Sequence, residues 1–285
     1  MQRRKAYIIL FISLFFIIFI AILLFKPKEK PLKIIMLDIG QGDAVYIEAP
    51  HGQNMLIDSG RDRTVMNKID RYISAKNNIN ILEISNPDLD HIGGFPFIIE
   101  KYKIGFIISP GTNHSELEAY KKIGELARQK NIPVQKPKQG SVYILDSKSA
   151  VTYTILWPEG NVYNWERNSG SIIGLLEYGE RKILLTGDAP KEVEDQIVAK
   201  YKNSLENIDI LKVGHHGSKT STGENLVTVA QPKYAIISAG LNNRYGHPHK
   251  EVIELLGFAR ANVLITSEVG TIECLVFLKK ETVCK

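Results

Sequence analysis

Apolar positions are spread unevenly along the chain. From Ala6 to Phe25 they form an almost unbroken run. Beyond a short Lys/Pro stretch at Lys26 to Pro31 they fall into brief blocks separated by turn signals and helical spacing. A run of about 20 residues is what a helix needs to cross roughly 30 Å of hydrocarbon. The run is therefore read as one transmembrane helix over residues 6–25, with a short tail at 1–5, a linker at 26–32 and a folded domain at 33–285. A cleaved secretory signal is the competing reading, but such signals carry an apolar stretch of about 7–15 residues that ends at a small-residue cleavage site. Here the run ends Leu23-Leu24-Phe25-Lys26-Pro27-Lys28, which favours an uncleaved anchor. Arg3, Arg4 and Lys5 precede it and Lys26, Lys28, Lys30 and Lys33 follow, so the positive-inside comparison does not decide the orientation. The short tail is the easier end to leave in the cytoplasm. The expectation is a single-pass protein of the cell membrane with its domain outside the cytoplasm.

Within the domain, apolar blocks at Lys33 to Leu37, Ala44 to Ala49 and Asn54 to Ile57 are spaced as hairpin strands. A helical pattern at Val65 to Lys76 leads to a strand at Ile79 to Ile84, and helices at Gly94 to Lys101 and Ser115 to Lys130 bracket a strand at Ile104 to Ile108. Further strands are read at Val142 to Leu145, Val151 to Leu156, Ile172 to Glu177, Lys182 to Thr186 and Ile208 to Val213, with a helix at Pro190 to Lys202 before the last of them. The tail gives helices at Asn225 to Ala230 and Lys250 to Ala261, and strands at Tyr234 to Ser238, Val263 to Thr266 and Thr271 to Leu278. Strand-rich halves with intervening helices point to an α/β fold of two sheets covered by outer helices, although pattern alone does not separate this from a doubly wound sheet.

Composition adds limits. With 285 residues and 44% hydrophobic content the chain can bury a full core. Its two cysteines, Cys274 and Cys284, exclude a cysteine-rich zinc module and a disulfide scaffold, and leave room for one late disulfide. Of the net charge of +5, Arg3, Arg4 and Lys5 supply three units. The domain is thus close to neutral, and charge gives little support for nucleic-acid binding.

Chemistry concentrates at three places. Ser85-Asn86-Pro87-Asp88-Leu89-Asp90-His91-Ile92-Gly93-Gly94 follows an apolar strand and precedes a helix. Its carboxylates and imidazole are oxygen and nitrogen donors of the kind that hold zinc or manganese. The plainer alternative is an Asn-Pro turn in which Asp88 or Asp90 caps the next helix. Leu184-Leu185-Thr186-Gly187-Asp188 and Lys212-Val213-Gly214-His215-His216-Gly217-Ser218 place a further carboxylate and two imidazoles at strand ends. Ligands gather outside the carboxyl ends of strands in α/β folds, so the three clusters can share one pocket, although each alone would be unremarkable. His51 and His114 fall outside every cluster.

Taken with Met36-Leu37-Asp38-Ile39-Gly40-Gln41-Gly42-Asp43-Ala44, with Leu56-Ile57-Asp58-Ser59-Gly60, and with Ser238, Gly240, Asn243, Tyr245, Gly246, His247 and Pro248, these clusters resemble the metallo-β-lactamase hydrolase domain of ComEC-type competence (DNA-uptake) proteins, in the same order and from about Lys33 to Leu278. The resemblance implies a four-layer αββα fold with a metal cleft between the sheets. It places Asp90 and His91 on one metal, Asp188 bridging or flanking it, and His215 completing the set, with His216 behind. Asp88 falls where other members of the superfamily carry a second histidine, and Asp58 is read as a carboxylate that orients a histidine. Asn86 departs from the pattern, which has histidine there, and Asn168 stands where a third histidine of the same position would fall. An amide oxygen is a poorer transition-metal ligand than imidazole, so one zinc or manganese ion is expected rather than two.

Such an ion keeps a coordination position open for water and lowers that water's pKa toward about 7. Hydrolysis of an ester would follow, with Asp90 at the reacting centre and with Ser218, Lys219 and His247 as the side chains that share the charge, His247 as general acid or substrate contact. Asp38 is read as structural, and Gln41 and Asp43 receive no firmer role. By analogy the substrate is DNA or another phosphodiester, and the partners are the membrane and other competence or membrane proteins. A different cell-envelope or small-molecule ester, or a binding module that has lost its metal, are the alternatives.

Overall fold

In the segment Leu32–Met36 every residue except Lys33 is buried, which marks a strand covered on both faces. The same double burial recurs in most strands of the chain and forces a layered design. The protein was characterised as a computed structural model that describes residues 2–24, 29–73 and 77–285. It falls into two compact units, Met1–Lys30 and Pro31–Lys285.

The first unit contains helix α1 (Gln2–Leu24), which covers the apolar run and also takes in the basic residues ahead of it. Leu10, Phe11, Phe15 and Ile17 are exposed on it. Phe25 and the first part of the expected linker, residues 26–28, lie outside the described residues, as do Met1 and residues 74–76 at the end of an expected helix. Among the described residues, no helix is long and apolar enough to cross a membrane, so the span rests on the sequence.

The second unit holds two sheets. The first is built from β1 (Leu32–Met36), β2 (Val45–Glu48), β3 (Asn54–Ile57), β4 (Asn78–Glu83), β5 (Lys103–Ile108) and β6 (Val134–Gln135). The second uses β7 (Val142–Asp146), β8 (Val151–Trp157), β9 (Ile173–Tyr178), β10 (Arg181–Leu185), β11 (Ile210–Lys212), β12 (Tyr234–Ile237) and β13 (Asn262–Ile265). The chain then returns to the first sheet with β14 (Ile272–Val276) and β15 (Val283–Cys284). Spatial orders are β15-β14-β1-β2-β3-β4-β5-β6 and β13-β12-β11-β10-β9-β8-β7. Each sheet is antiparallel at one end and parallel at the other, from β3 to β6 and from β10 to β13. Cys274 and Cys284, cross-strand partners of β14 and β15, form a disulfide.

Side chains of alternate strand positions divide the interior into three apolar layers. Ile34, Met36, Val45 and Ile47 meet Tyr153, Ile155, Ile183 and Ile210 between the sheets. On the outer face of the first sheet, Ile35, Tyr46 and Leu82 pack under α2 (Thr64–Ile69), α3 (Leu89–Ile92), α4 (Phe95–Lys101) and α5 (Glu118–Gln129). On the outer face of the second, Leu175, Leu184 and Leu211 pack under α6 (Lys191–Tyr201), α7 (Glu224–Ala230) and α8 (Lys250–Phe258). The layers therefore run helix, sheet, sheet, helix. A one-turn α9 (Thr266–Val269) connects β13 to β14. Expected strands and helices are displaced by a few residues at their ends, and β6, β15, α3 and α9 are too short to show periodicity.

Several polar links cross between the sheets. The Tyr153 hydroxyl donates to Glu83 Oε1 at 2.7 Å, and its ring occupies the space where a Cβ on Gly174 would stand. Burial pushes the Glu83 carboxyl up to about 8, against the Tyr153 hydrogen bond that favours its charged form. Another link is the ion pair between Lys212 at the end of β11 and Asp43 in the β1–β2 loop, both almost wholly buried. Lys212 Nζ also donates to the Gly187 carbonyl at 2.8 Å.

Removing one member of a buried pair leaves an uncompensated charge, which typically costs about 3–5 kcal/mol. Lys212→Met is therefore expected to lose stability of that order in equilibrium denaturation, and the double variant Lys212→Met/Asp43→Leu to recover a large part of it. Equal losses in the single and double variants would show that the pair is not what matters. Gly174→Ala is expected to cost at least about 1–3 kcal/mol through overpacking against Tyr153. Gly257→Ala, in open space on α8, should instead gain about 0.5–1 kcal/mol in the same denaturation experiment.

Candidate metal centre

The residues that carry chemistry sit where strands of both sheets end. The β1–β2 loop brings Gly42 and Asp43, the segment after β4 brings Asn86 to His91, and the segments after β10 and β11 bring Asp188 and the His215-His216 pair. Gly42 has to be glycine, since a Cβ there would overlap the Asp90 carbonyl. That close approach lets Asp43 N donate to Asp90 O at 3.2 Å, while Ser59 N and its hydroxyl both donate to His91 O. Backbone groups thus fix Asp90 and His91 before any side chain acts.

The centre of the arrangement is one oxygen, Asp188 Oδ2. His91 Nε2 lies 3.0 Å from it, and His215 Nε2 and His216 Nε2 each lie 3.8 Å away. Asp90 Oδ2 approaches His216 Nε2 at 3.5 Å. The far nitrogens of two imidazoles are committed elsewhere. His91 Nδ1 donates to Asp58 Oδ2 at 2.8 Å, and His216 Nδ1 donates to the Ser238 carbonyl at 3.0 Å. Those partners fix the tautomers and turn both Nε2 atoms toward Asp188. Asp58 is in turn held by the Ser85 backbone and hydroxyl, and it stands at φ 59°, a left-handed conformation that costs a non-glycine residue free energy.

Charge runs high here. Although burial opposes it, Asp188 and Asp58 push the His91 ring well above the usual imidazole value. His216 rises to about 10 in spite of its burial, through Asp188 and Asp43. Asp188 falls well below the usual carboxylate range under the charges of His91 and His216, again against burial, and Asp90 falls to about 2 with the help of His216 and His91.

The donor set suits a divalent metal ion. His216 Nε2 and Asp188 Oδ1 are buried atoms without a hydrogen-bond partner, and with His91 Nε2 and Asp90 Oδ2 they supply two nitrogens and two carboxylates. Asp43, His91, Asp188 and His216 lie with one donor atom each within 4.8 Å of one another. Asp43, however, stands behind the histidines, 3.4 Å from His216 Nδ1 and 3.8 Å from His91 Nδ1, and is engaged by Lys212.

Sequence reasoning placed His215 in the ligand set and His216 behind it. In the structure His216 is the buried member of the pair, 1% exposed with its Nε2 unpartnered, while His215 is a quarter exposed with its Nδ1 3.4 Å from the Thr220 hydroxyl. The reason is local backbone. Both residues adopt left-handed dihedrals, His215 at φ 46° and His216 at φ 56°, a turn that no reading of neighbouring residues anticipates. Lys212 and Asp43, central to the site, were quoted in their motifs without a firm role, because a lone Lys inside an apolar strand and an Asp beside Gly look unremarkable.

The residues expected at a second metal position are engaged by hydrogen bonds. Asn86 Nδ2 donates to Asn168 Oδ1 at 2.8 Å, and Asn86 Oδ1 accepts the Asp88 amide at 3.0 Å. Both ends of the Asn86 side chain are spent. Asp88 pairs with Arg167, its Oδ1 2.9 Å from Nη1.

The remaining candidates surround the site unevenly. His247 forms an edge-on contact with His215, with ring centroids 5.6 Å apart, and its buried Nδ1 has no partner. Burial and the neighbouring His215, His216 and His249 bring its ring down to about 4, which removes the protonated form that a general acid requires at neutral pH. Ser218 is buried, its hydroxyl paired with Thr220, and Lys219 is exposed with its backbone N–H donating to His249 Nδ1. Asp38 accepts from Gly40 and faces Lys68 at 3.5 Å, while Gln41 Oε1 accepts from Gly240 N. His51 pairs with Asp146 at 2.7 Å, and the fully buried His114 lies with Nδ1 3.8 Å from Glu116 Oε1.

The whole-chain comparisons agree with the motifs. The chain is 34% identical over 256 residues to ComE operon protein 3 of Bacillus subtilis, covering 84% of this chain and 32% of that protein. It is also 34% identical over 257 residues to Recombination protein 2 of Haemophilus influenzae, covering 88% of this chain and 30% of that one. The chain thus spans about a third of the length of these relatives. In three dimensions it superposes on the diiron β-hydroxylase CmlA of Streptomyces venezuelae with a TM-score of 0.55 at 13% identity, over 89% of this chain and 55% of that one, a likeness of fold alone. The model of the metallo-beta-lactamase superfamily matches residues 37–240, and with the histidine–carboxylate cluster inside that range the chain belongs to this superfamily as a metal-dependent hydrolase.

Proposed function

We propose that the chain is a membrane-anchored phosphodiesterase that works with one zinc or manganese ion and takes DNA or a related phosphodiester as substrate. The observation that carries this reading is the convergence of His91, His215 and His216 on Asp188 Oδ2 beside a second position whose residues are engaged by hydrogen bonds. An ion at the open position supplies Lewis acidity and lowers the pKa of a water toward about 7. The chain's own groups do the rest. Asp58 and Ser238 hold the two imidazoles in one tautomer, and Lys212 and Asp43 keep the cleft floor neutral in sum. Asp90, a quarter exposed and brought down to about 2 with the help of His216 and His91 against its burial, stays charged and would help hold the ion. His247, uncharged and with a free buried nitrogen, is positioned to contact the substrate.

Similarity to a protein named for recombination supports DNA as the substrate class. The near-neutral charge of the domain favours a short contact at the scissile phosphate over a long electrostatic track. The anchor is supported by the apolar run and by the exposed aromatic and aliphatic side chains of α1.

Elemental analysis of the purified full chain is expected to give about one zinc or manganese per chain, together with manganese-stimulated hydrolysis of bis-p-nitrophenyl phosphate and single-stranded DNA. His216→Ala should lose the ion and at least about a hundredfold in kcat/KM, a loss on the scale of two steps of 1.4 kcal/mol, while His215→Ala should keep the ion. Metal-free wild-type protein, or metal loss in His215→Ala with retention in His216→Ala, would sink the assignment. For orientation, protease added to intact cells is expected to remove the domain. Protection in intact cells combined with digestion after lysis would place it on the cytoplasmic side.

A further inference from the structure

The engaged second position leaves a question of charge. In a two-metal hydrolase the second cation neutralises the carboxylate at that position and meets the non-bridging oxygens of the ester. Here Asp88 retains its carboxylate, and the group that meets it is a guanidinium: Arg167 Nη1 lies 2.9 Å from Asp88 Oδ1. Nη2, the other arm of the fork, donates to Glu116 Oε1 at 2.8 Å. Arg167 immediately precedes the turn Asn168–Gly170, whose Asn168 accepts the amide of Asn86. One short segment therefore supplies both the amide that engages Asn86 and the cation that meets Asp88.

We propose that Arg167 replaces the second metal ion as the phosphate-binding cation of this site, and that Glu116 occupies the anion slot on its outer arm until substrate arrives. This deepens, and rests on, the phosphodiesterase reading. A guanidinium carries its charge at every accessible pH and presents paired N–H donors whose spacing matches two oxygens of one phosphate. Asp88 fixes one arm, so the plane of the fork is set before binding. Glu116 is the exchangeable partner: its side chain is 53% exposed, against 28% for Asp88. A phosphate oxygen that takes the place of the Glu116 carboxylate exchanges one charge-assisted hydrogen bond for another and leaves the Asp88 contact intact. Both Arg167 pairs are partly solvated, and pairs of that kind contribute little to stability. A large effect of Arg167 on anion affinity would thus not be a by-product of folding.

The test uses the full chain, with inorganic phosphate as the probe in titration calorimetry and as an inhibitor of bis-p-nitrophenyl phosphate hydrolysis, alongside metal content for each variant. Arg167→Gln is expected to keep one ion per chain and to bind phosphate about tenfold more weakly, the loss of one hydrogen bond to a charged group. Arg167→Lys should restore part of that affinity, and Glu116→Gln should tighten phosphate binding by removing the competing carboxylate. Opposite signs for Arg167→Gln and Glu116→Gln distinguish an anion slot from a merely structural ion pair, which would weaken binding in both. Unchanged phosphate affinity in Arg167→Gln overturns the proposal, as does uptake of a second ion by that variant, which would make Arg167 only a guard against metal. If wild type binds phosphate through Arg167 but cleaves no phosphodiester, the phosphodiesterase reading fails and the anion site stands. If wild type cleaves phosphodiesters and Arg167→Gln matches it in both affinity and kcat/KM, the opposite holds.

Discussion

The buried pair of Lys212 and Asp43 is the contact on which the site depends. Lys212 ends a strand of one sheet, Asp43 lies in a loop of the other, and their attraction joins the two sheets at the floor of the cleft. Lys212 also holds the Gly187 carbonyl, one residue before Asp188, and Asp43 lies 3.4 Å from the rear nitrogen of His216. Two of the residues that converge on the ion position are thus set by one ion pair. Burying it costs desolvation, and the return is geometry: a carboxylate and an imidazole from different strands are held within 4 Å of each other without a metal to gather them.

Around that pair the site shows a consistent division of labour. Each imidazole that faces Asp188 Oδ2 has its other nitrogen occupied where the ring is buried, by Asp58 behind His91 and by the Ser238 carbonyl behind His216. Left-handed residues cluster at the same place, namely Asp58, His215 and His216. Backbone strain of this kind persists only where surrounding contacts over-determine the conformation, and here those contacts come from Ser85 and Glu83 at Asp58, from the Gly187 carbonyl at His215 and from the Ser238 carbonyl at His216. On the other side of the cleft the same segments are locked without a metal, through amide to amide at Asn86 and Asn168 and through guanidinium to carboxylate at Arg167 and Asp88. Asn86, where the resemblance expects histidine, is thus held in a specific network of hydrogen bonds.

Much of this was legible in the order of residues. Alternation and double burial give the strands, because a strand hidden between a sheet and a helix must be apolar on both faces, and the spacing of Asn86, Asp88, Asp90 and His91 gives the superfamily and the depleted position. Local sequence also specifies Asp88, Asp90, His91 and Asp188 as a group worth joining, since each lies within a segment that leaves the end of a strand. What tertiary structure alone decided are the pairings between distant segments: which of two adjacent imidazoles turns inward, that Lys212 finds Asp43 across the sheets, and that Asn168 and Arg167 arrive opposite Asn86 and Asp88 some 80 residues earlier. The choice of His216 over His215 depends on a left-handed turn whose cost is met by contacts from Ser238 and Asp43, and neither residue is near it in the chain. A sequence records which groups are available at each strand end, whereas the direction in which each one points is settled by the balance of buried charge and hydrogen bonds that exists only once both sheets are packed.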